Sequence, residues 1–425
     1  MNRTRVFVLL CLLRALTVTA AAAPGEDLAA GPAGDPADLS IWPNQTSRAN
    51  SDAWIAAHHD AIREMRPRLL VVNFSNEMPP SEIPRQTQAL IDAIAESSRY
   101  RGYANAQAPA FLRYRVFKYV DLRDPDRTAA NCRRSPIKAG VTEGINMDYG
   151  ALFNEEFAAH YDIRDPAEPD RCLRLDELVD RGYVHEFWFF AKADGVLRCL
   201  ELVEQKPVYD ETFARVADSW VQAGNGGDAD QPWTGRSLRI NCINHERGTG
   251  CAMENLGHAL EGMAHSGCIP YYRRYFREFA GFDLDTRWGL PFDSFYALWG
   301  EGKGIEYPRP DAAIVRDGEK EYRLEPYRVN GGNVHFPPNG RRHYDMANDQ
   351  PVLSSIEDWR GGSGPGGTDL DRPWTNEAFV RYRQLAPDCM GAWLVYWRQN
   401  MPGLDNRQRD DTGRPMKNWW PFLFY

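Results

Sequence analysis

Residues 66–73, R-P-R-L-L-V-V-N, constrain the fold more than any other stretch. Four aliphatic residues in succession, without polar alternation, fit a strand covered on both faces. Past Pro79 and Pro80, residues 82–100 place Leu90, Ile91, Ile94 and Ala95 at helical spacing, and residues 111–121 return to an alternating, aromatic-rich strand. Strand, helix, strand is the opening of an α/β domain.

The same grammar continues. Residues 174–181 suit a short helix feeding the strand at 183–190, V-H-E-F-W-F-F at its centre. A third strand, 237–243, ends at Asn244 and runs through a glycine-punctuated turn into a long helix; further helices suit 270–279 and 390–400. Loops at 222–231 and 360–368 are glycine-rich. With no repeat and no clean linker, the simplest reading is a single α/β domain over residues 50–425. Its sheet is expected to be mostly parallel, flanked by helices and joined by long irregular loops. The last residues, N-W-W-P-F-L-F-Y, are too apolar to dangle and should pack back onto the core.

The beginning of the chain has another character. Two arginines, an apolar run over 6–13 and alanines at 20–23 make a secretory signal over residues 1–23. Residues 24–49 are expected to form a flexible leader. No apolar run approaches the ~18 residues of a membrane span. The expected product is a secreted or periplasmic protein without a membrane span, its oligomeric state left open. The chain carries −9, and −12 once Arg3, Arg5 and Arg14 leave with the signal. A field of that sign disfavours nucleic acid as a partner.

Seven cysteines follow the signal, and in an oxidising compartment some should pair while an odd one stays free. The expected pairs are Cys251–Cys268 and Cys132–Cys172. None forms C-x-x-C, which argues against a zinc ribbon.

Chemistry concentrates in residues 243–265, I-N-H-E-R-G-T-G-C-A-M-E-N-L-G-H-A-L-E-G-M-A-H. At about 100° per helical residue, with Glu254 at zero, His258 falls near ~40°, Glu261 near ~340° and His265 near ~20°. Four titratable side chains thus share one stripe, while Leu256, Ala259, Leu260 and Met263 fall on the opposite, core-facing side. A solvated face is the plain explanation, but such faces usually carry Lys, Arg, Glu and Gln rather than two histidines. His258 and Glu261 at i, i+3 could supply two zinc ligands, with a third from elsewhere.

The preceding turn offers Asn244, Glu246 and Arg247 at a strand end, where α/β proteins place ligands. Glu186 lies within an apolar strand and needs a partner, Arg247 being the expected one, or a catalytic use. A second cluster, G-N-V-H-F-P-P-N at 332–339, holds Asn333 and His335 beside two prolines, with His343, Tyr344 and Asp345 downstream. If His335 faces the helix stripe, it becomes a third ligand or a general base. No phosphate-binding loop, G-x-S-x-G elbow or H-E-x-x-H helix is present.

On the segments N-H-E-R-G, G-H-x-x-E, G-N-V-H-F-P-P-N and the pair Trp419–Trp420, the second half of the chain resembles a family of exported microbial proteins without an assigned activity. The resemblance implies that these segments belong together and carries over no catalytic residue.

Three functions follow. The first is a secreted hydrolase, acting on an extracellular glycan, with Glu246 and Glu261 as acid/base carboxylates lined by His258 and His335. Asn244, Arg247, Glu186, Asn333 and Asp345 would bind its substrate. The second is a zinc hydrolase using His258, Glu261 and His335. The third is a non-catalytic glycan- or surface-binding protein with exposed aromatics.

Overall fold

The computed structural model describes residues 35–47, 51–193, 196–199, 201–225 and 230–425. The signal segment and half of the expected leader, residues 24–34 and 48–49, lie outside the described residues. The part of residues 24–49 that is described does not behave as a leader. Trp42 is buried, its ring 4.5 Å from His185 and 5.2 Å from Phe424. One large indole docked in the core offsets the ordering cost of the short segment around it.

In chain order the first elements are β1 (Ile41–Trp42), α1 (Ser51–His58), β2 (Glu64–Met65), β3 (Arg68–Asn73), α2 (Glu82–Ser97) and β4 (Arg115–Asp121). Next come α3 (Glu155–Tyr161), α4 (Leu175–Asp180), β5 (Glu186–Ala191), β6 (Leu202–Tyr209), β7 (Arg215–Gln222) and β8 (Leu238–Asn244). The helices α5 (Thr249–Ser266), α6 (Pro270–Ala280) and α7 (Leu284–Trp288) precede a meander of β9 (Lys303–Arg309), β10 (Ala312–Asp317) and β11 (Lys320–Leu324). A small ribbon of β12 (Val352–Ser354) and β13 (Arg372–Trp374), then α8 (Gly391–Gln399), complete the set.

The architecture is mixed α/β around a six-stranded sheet in the order β4-β3-β5-β8-β6-β7. The first four strands are parallel to one another, whereas β6 runs antiparallel to β8 and β7 antiparallel to β6. The sheet is therefore mixed. β6 escapes a reading by hydrophobic pattern because L-V-E-Q-K-P-V-Y looks like a surface segment, yet Glu204, Gln205 and Lys206 are buried.

Strand residues alternate between two cores, as period-two geometry requires. Leu69, Val71, Trp188, Phe190 and Ile243 face the larger core under α2, α5 and α8, while Leu70, Val72, Phe187 and Phe189 face α3 and α4. Burying four charged groups in β5, β6 and β8 is possible because they pair. Arg239 Nη1 bonds Glu186 Oε1, and its Nη2 lies 3.0 Å from Glu204 Oε1. Lys206 Nζ donates to Ser237 Oγ at 2.9 Å. Lys206 and Arg239 also donate to the Leu423 carbonyl, at 3.1 and 3.0 Å. The apolar C-terminus is thereby tied over the network, with Trp419, Trp420 and Tyr425 buried. Among the described residues no helix is long and apolar enough to cross a membrane.

The disulfide joins Cys251 to Cys389, and Cys132, Cys172 and Cys268 are free thiols, which corrects both expected pairs. Cys251 and Cys268 stand at opposite ends of α5, roughly 25 Å apart at 1.5 Å per residue, far beyond the reach of a disulfide.

Candidate metal centre

The site is built where α5 meets the loop over residues 332–336. The start of α5 is fixed from outside the helix: the Asp388 carboxylate accepts from Gly250 N at 2.7 Å and Cys251 N at 3.1 Å. Asp388 thus caps donors that Gly248, which has no side chain, leaves open. The Cys251–Cys389 disulfide ties the same corner covalently. Midway along the helix, a Cβ on Gly257 would lie 2.6 Å from Val334 Cγ2, so only glycine lets the loop approach this closely. The loop is held from its other side by α8, whose Trp393 and Trp397 indoles donate to the carbonyls of Asn333 and Gly332 at 2.9 and 3.0 Å.

This packing buries the stripe, which is therefore not a solvated face. Glu254 and Glu261 are 5% and 4% exposed, and the opposite side, Leu256, Ala259, Leu260 and Met263, is buried as expected. His265 alone leaves the group, at the exposed end of the helix against Phe282.

Glu254, His258 and His335 form the centre, their candidate ligand atoms all within 4.8 Å of one another. Glu254 Oε1 lies 3.4 Å from His258 Nε2 and 3.0 Å from His335 Nε2. Glu261 sits behind His258, its Oε2 2.9 Å from Nδ1, and its remaining capacity is taken by the Tyr296 hydroxyl at 3.0 Å and Val334 N at 3.1 Å. Behind His335, Nδ1 meets His343 Nδ1 at 3.0 Å, and His343 Nε2 faces the Tyr296 carbonyl at 3.3 Å. Burial, and then the neighbouring His335, push His343 down to about 4, so its ring is neutral and can accept at Nδ1 while donating from Nε2.

The electrostatics follow from the same contacts. Burial works to raise Glu254, but the hydrogen bonds and charges of His258 and His335 outweigh it and hold the carboxyl at about 2. Burial likewise pulls His258 down, and its bonds to Glu254 and Glu261 overcome that and lift it to about 10.

Beside the centre lies a cavity of about 190 Å³ lined by Cys199, Glu201, Cys242, Asn244, Arg247 and Asn255 among others. Glu201 links the two, with Oε2 3.8 Å from His258 Nε2 and Oε1 4.0 Å from Arg247 Nη1. Two aromatic side chains are exposed at the centre, Trp299 at 63% and Tyr344 at 45%. The Tyr344 hydroxyl donates to Glu254 Oε1 at 3.3 Å, and the Trp299 ring packs edge-on 4.5 Å from His343.

Of the residues expected at a site, the structure brings together His258, His335 and Glu261, and sets Asn244 and Arg247 on the adjoining cavity. It does not bring Glu246 to them. That side chain is half exposed and ion-paired with Lys192 at 3.1 Å. Glu186 pairs with Arg239 rather than Arg247, and is further held by Tyr114 at 2.5 Å and Trp188 at 2.9 Å; burial raises it. Asp345 is bound to Arg341 at 2.6 Å. Asn333 shapes the loop, its Oδ1 accepting from the backbone N of His335 and Phe336 at 3.1 and 3.0 Å. Glu254 is the candidate ligand that a reading by sequence passes over, although its i, i+4 relation to His258 is a signal as good as that of Glu261.

No family model matches the sequence, no curated protein matches it, and no solved structure matches it.

Proposed function

We propose that this protein is a metal-dependent hydrolase whose centre, of the zinc type, is held by Glu254, His258 and His335. The observation that carries the reading is the spacing of the three ligand atoms. Ligands of a tetrahedral zinc at ~2.0–2.1 Å stand roughly 3.3–3.4 Å apart, and two of the three edges here measure 3.0 and 3.4 Å. The surrounding partners are of the kind that metal ligands require. With Nε2 directed at the metal, His258 donates from Nδ1 to Glu261, and His335 donates from Nδ1 to neutral His343. Glu261 therefore orients a ligand instead of serving as one.

The metal would supply a water of lowered pKa and polarise the bond to be cleaved. The chain supplies the rest. Glu201, between cavity and centre, would act as the general base, and Tyr344 would turn its hydroxyl from Glu254 toward an oxygen that gains charge. Arg247 and Asn244 would hold the substrate on the cavity side. Trp299 and Tyr344 are exposed aromatic side chains beside the centre, which favours an extracellular glycan as substrate.

The test is elemental analysis of the purified full chain beside Glu254→Gln, His258→Ala and His335→Ala variants, followed by a polysaccharide hydrolysis screen. Near-stoichiometric zinc in the wild type, lost in each variant together with hydrolysis, is the expected result. A metal-free wild type that remains so after incubation with zinc ends this reading. Glycan binding by such a protein without turnover would favour a binding protein using Trp299 and Tyr344.

A further inference from the structure

Cys199 and Cys242 enter no part of the proposed chemistry, yet both line the cavity beside it. Cys242 is in the last part of β8 and Cys199 in the segment that leads into β6. The antiparallel pairing of β6 with β8 puts Leu202 opposite Asn241, and Cys242 N donates to Glu201 O at 3.0 Å, one step beyond β6. The Asn255 carboxamide then donates to both sides of the join, to Glu201 O at 3.0 Å and to Cys242 O at 2.9 Å. Two backbone segments are thus clamped together, with Cys199 and Cys242 on the wall of one cavity.

We propose that Cys199 and Cys242 are a second disulfide-forming pair, closed by a low-molecular-weight disulfide that reaches them through the cavity. Cys199, half-buried, is the thiol that small molecules meet first, while Cys242 is buried. The neighbouring Cys199, and then burial, hold the Cys242 thiol well above the ordinary range, which leaves the first attack to Cys199. With oxidised glutathione, the Cys199 thiolate attacks one sulfur and expels one glutathione thiolate. Cys242, losing its proton, then attacks the Cys199 sulfur of the mixed disulfide and expels the second. The protein loses two electrons and two protons, and one oxidised glutathione becomes two reduced ones. The new bond ties the chain on either side of the β6–β7 hairpin and fixes Glu201 beside His258. The inference stands apart from the metal reading, since the thiols touch none of the three ligands.

The experiment incubates the purified full chain with oxidised glutathione, blocks remaining thiols by alkylation in denaturant, and maps non-reduced peptides by mass spectrometry. Expected are peptides linking Cys199 to Cys242 and Cys251 to Cys389, with Cys132, Cys172 and Cys268 alkylated. Alkylation of both Cys199 and Cys242, their capture as separate glutathione adducts, or linkage of either to another cysteine would overturn the proposal. In Cys242→Ser, Cys199 should stop as the glutathione adduct. The wild-type map decides the question even if that variant does not fold.

Discussion

Two clusters of buried charge occupy this fold, and they differ in the cations that face their carboxylates. Under the C-terminal segment, Glu186 and Glu204 meet Arg239 and Lys206, two acids against two bases, closed over by the Leu423 carbonyl. On α5, Glu254 and Glu261 bond histidines, and Glu201 stands between His258 and Arg247 beside a cavity. Arginine keeps its charge at any accessible pH, so the first cluster is complete as it stands. Imidazoles can be neutral, and the second cluster then holds a surplus of negative charge that a divalent cation would balance. Burial by itself does not mark a functional site; the kind of partner does.

The comparison can be broken most directly at Arg239. Arg239→Met strands two buried carboxylates and is expected to cost about 3–5 kcal/mol of stability, read from denaturant midpoints, while the folded fraction keeps its metal. A loss below ~1 kcal/mol would erase the distinction. Next in size, chelation should destabilise the wild type by about 2.7–4.1 kcal/mol when zinc had been present at a hundred to a thousand times its Kd. Glu254→Gln should not respond to chelator, whereas Glu186→Gln should. His343→Leu removes the acceptor behind His335 and should weaken metal binding ten- to a hundredfold, about 1.4–2.8 kcal/mol, measured by competition with a metal indicator.

A finer test uses pH on the metal-free chain. Glu254, held at about 2, contributes stability that is present above its ordinary value near 4.5 and lost as pH falls toward 2. His258, raised to about 10, contributes stability that is complete below its ordinary 6.5 and lost as pH climbs toward 10. The two describe one ion pairing, so urea stability should be level between those limits and fall on either side, by at most about 1.4 kcal/mol per pH unit. Flattening of both limbs in Glu254→Gln would assign them to this cluster. Smallest of all, Glu246→Gln should change stability by less than about 0.5 kcal/mol and leave metal content alone. Abolished hydrolysis with metal retained would instead return Glu246 to the chemistry.

Much of the frame was legible in the chain. β3, α2, β5, β8, α5, α6 and α8 follow from hydrophobic period, and the C-terminal aromatics from their apolarity. The stripe on α5 was legible too, because side-chain direction on a helix is a matter of counting. What failed is as specific. β6 was hidden because its Glu204 and Lys206 are buried through pairing with residues on other strands. Cys251 was given a neighbour in sequence, while its partner Cys389 arrives from 138 residues away.

The amino-acid sequence by itself determined the α/β elements and the helix face that carries Glu254, His258 and Glu261, since both depend on periods of two and 3.6 residues that are local. Only the tertiary structure decided which of the two glutamates faces His335. Tyr296 and Val334 occupy Glu261 from distant parts of the chain, leaving Glu254 free to meet both imidazoles, and no local period encodes contacts made across such separations.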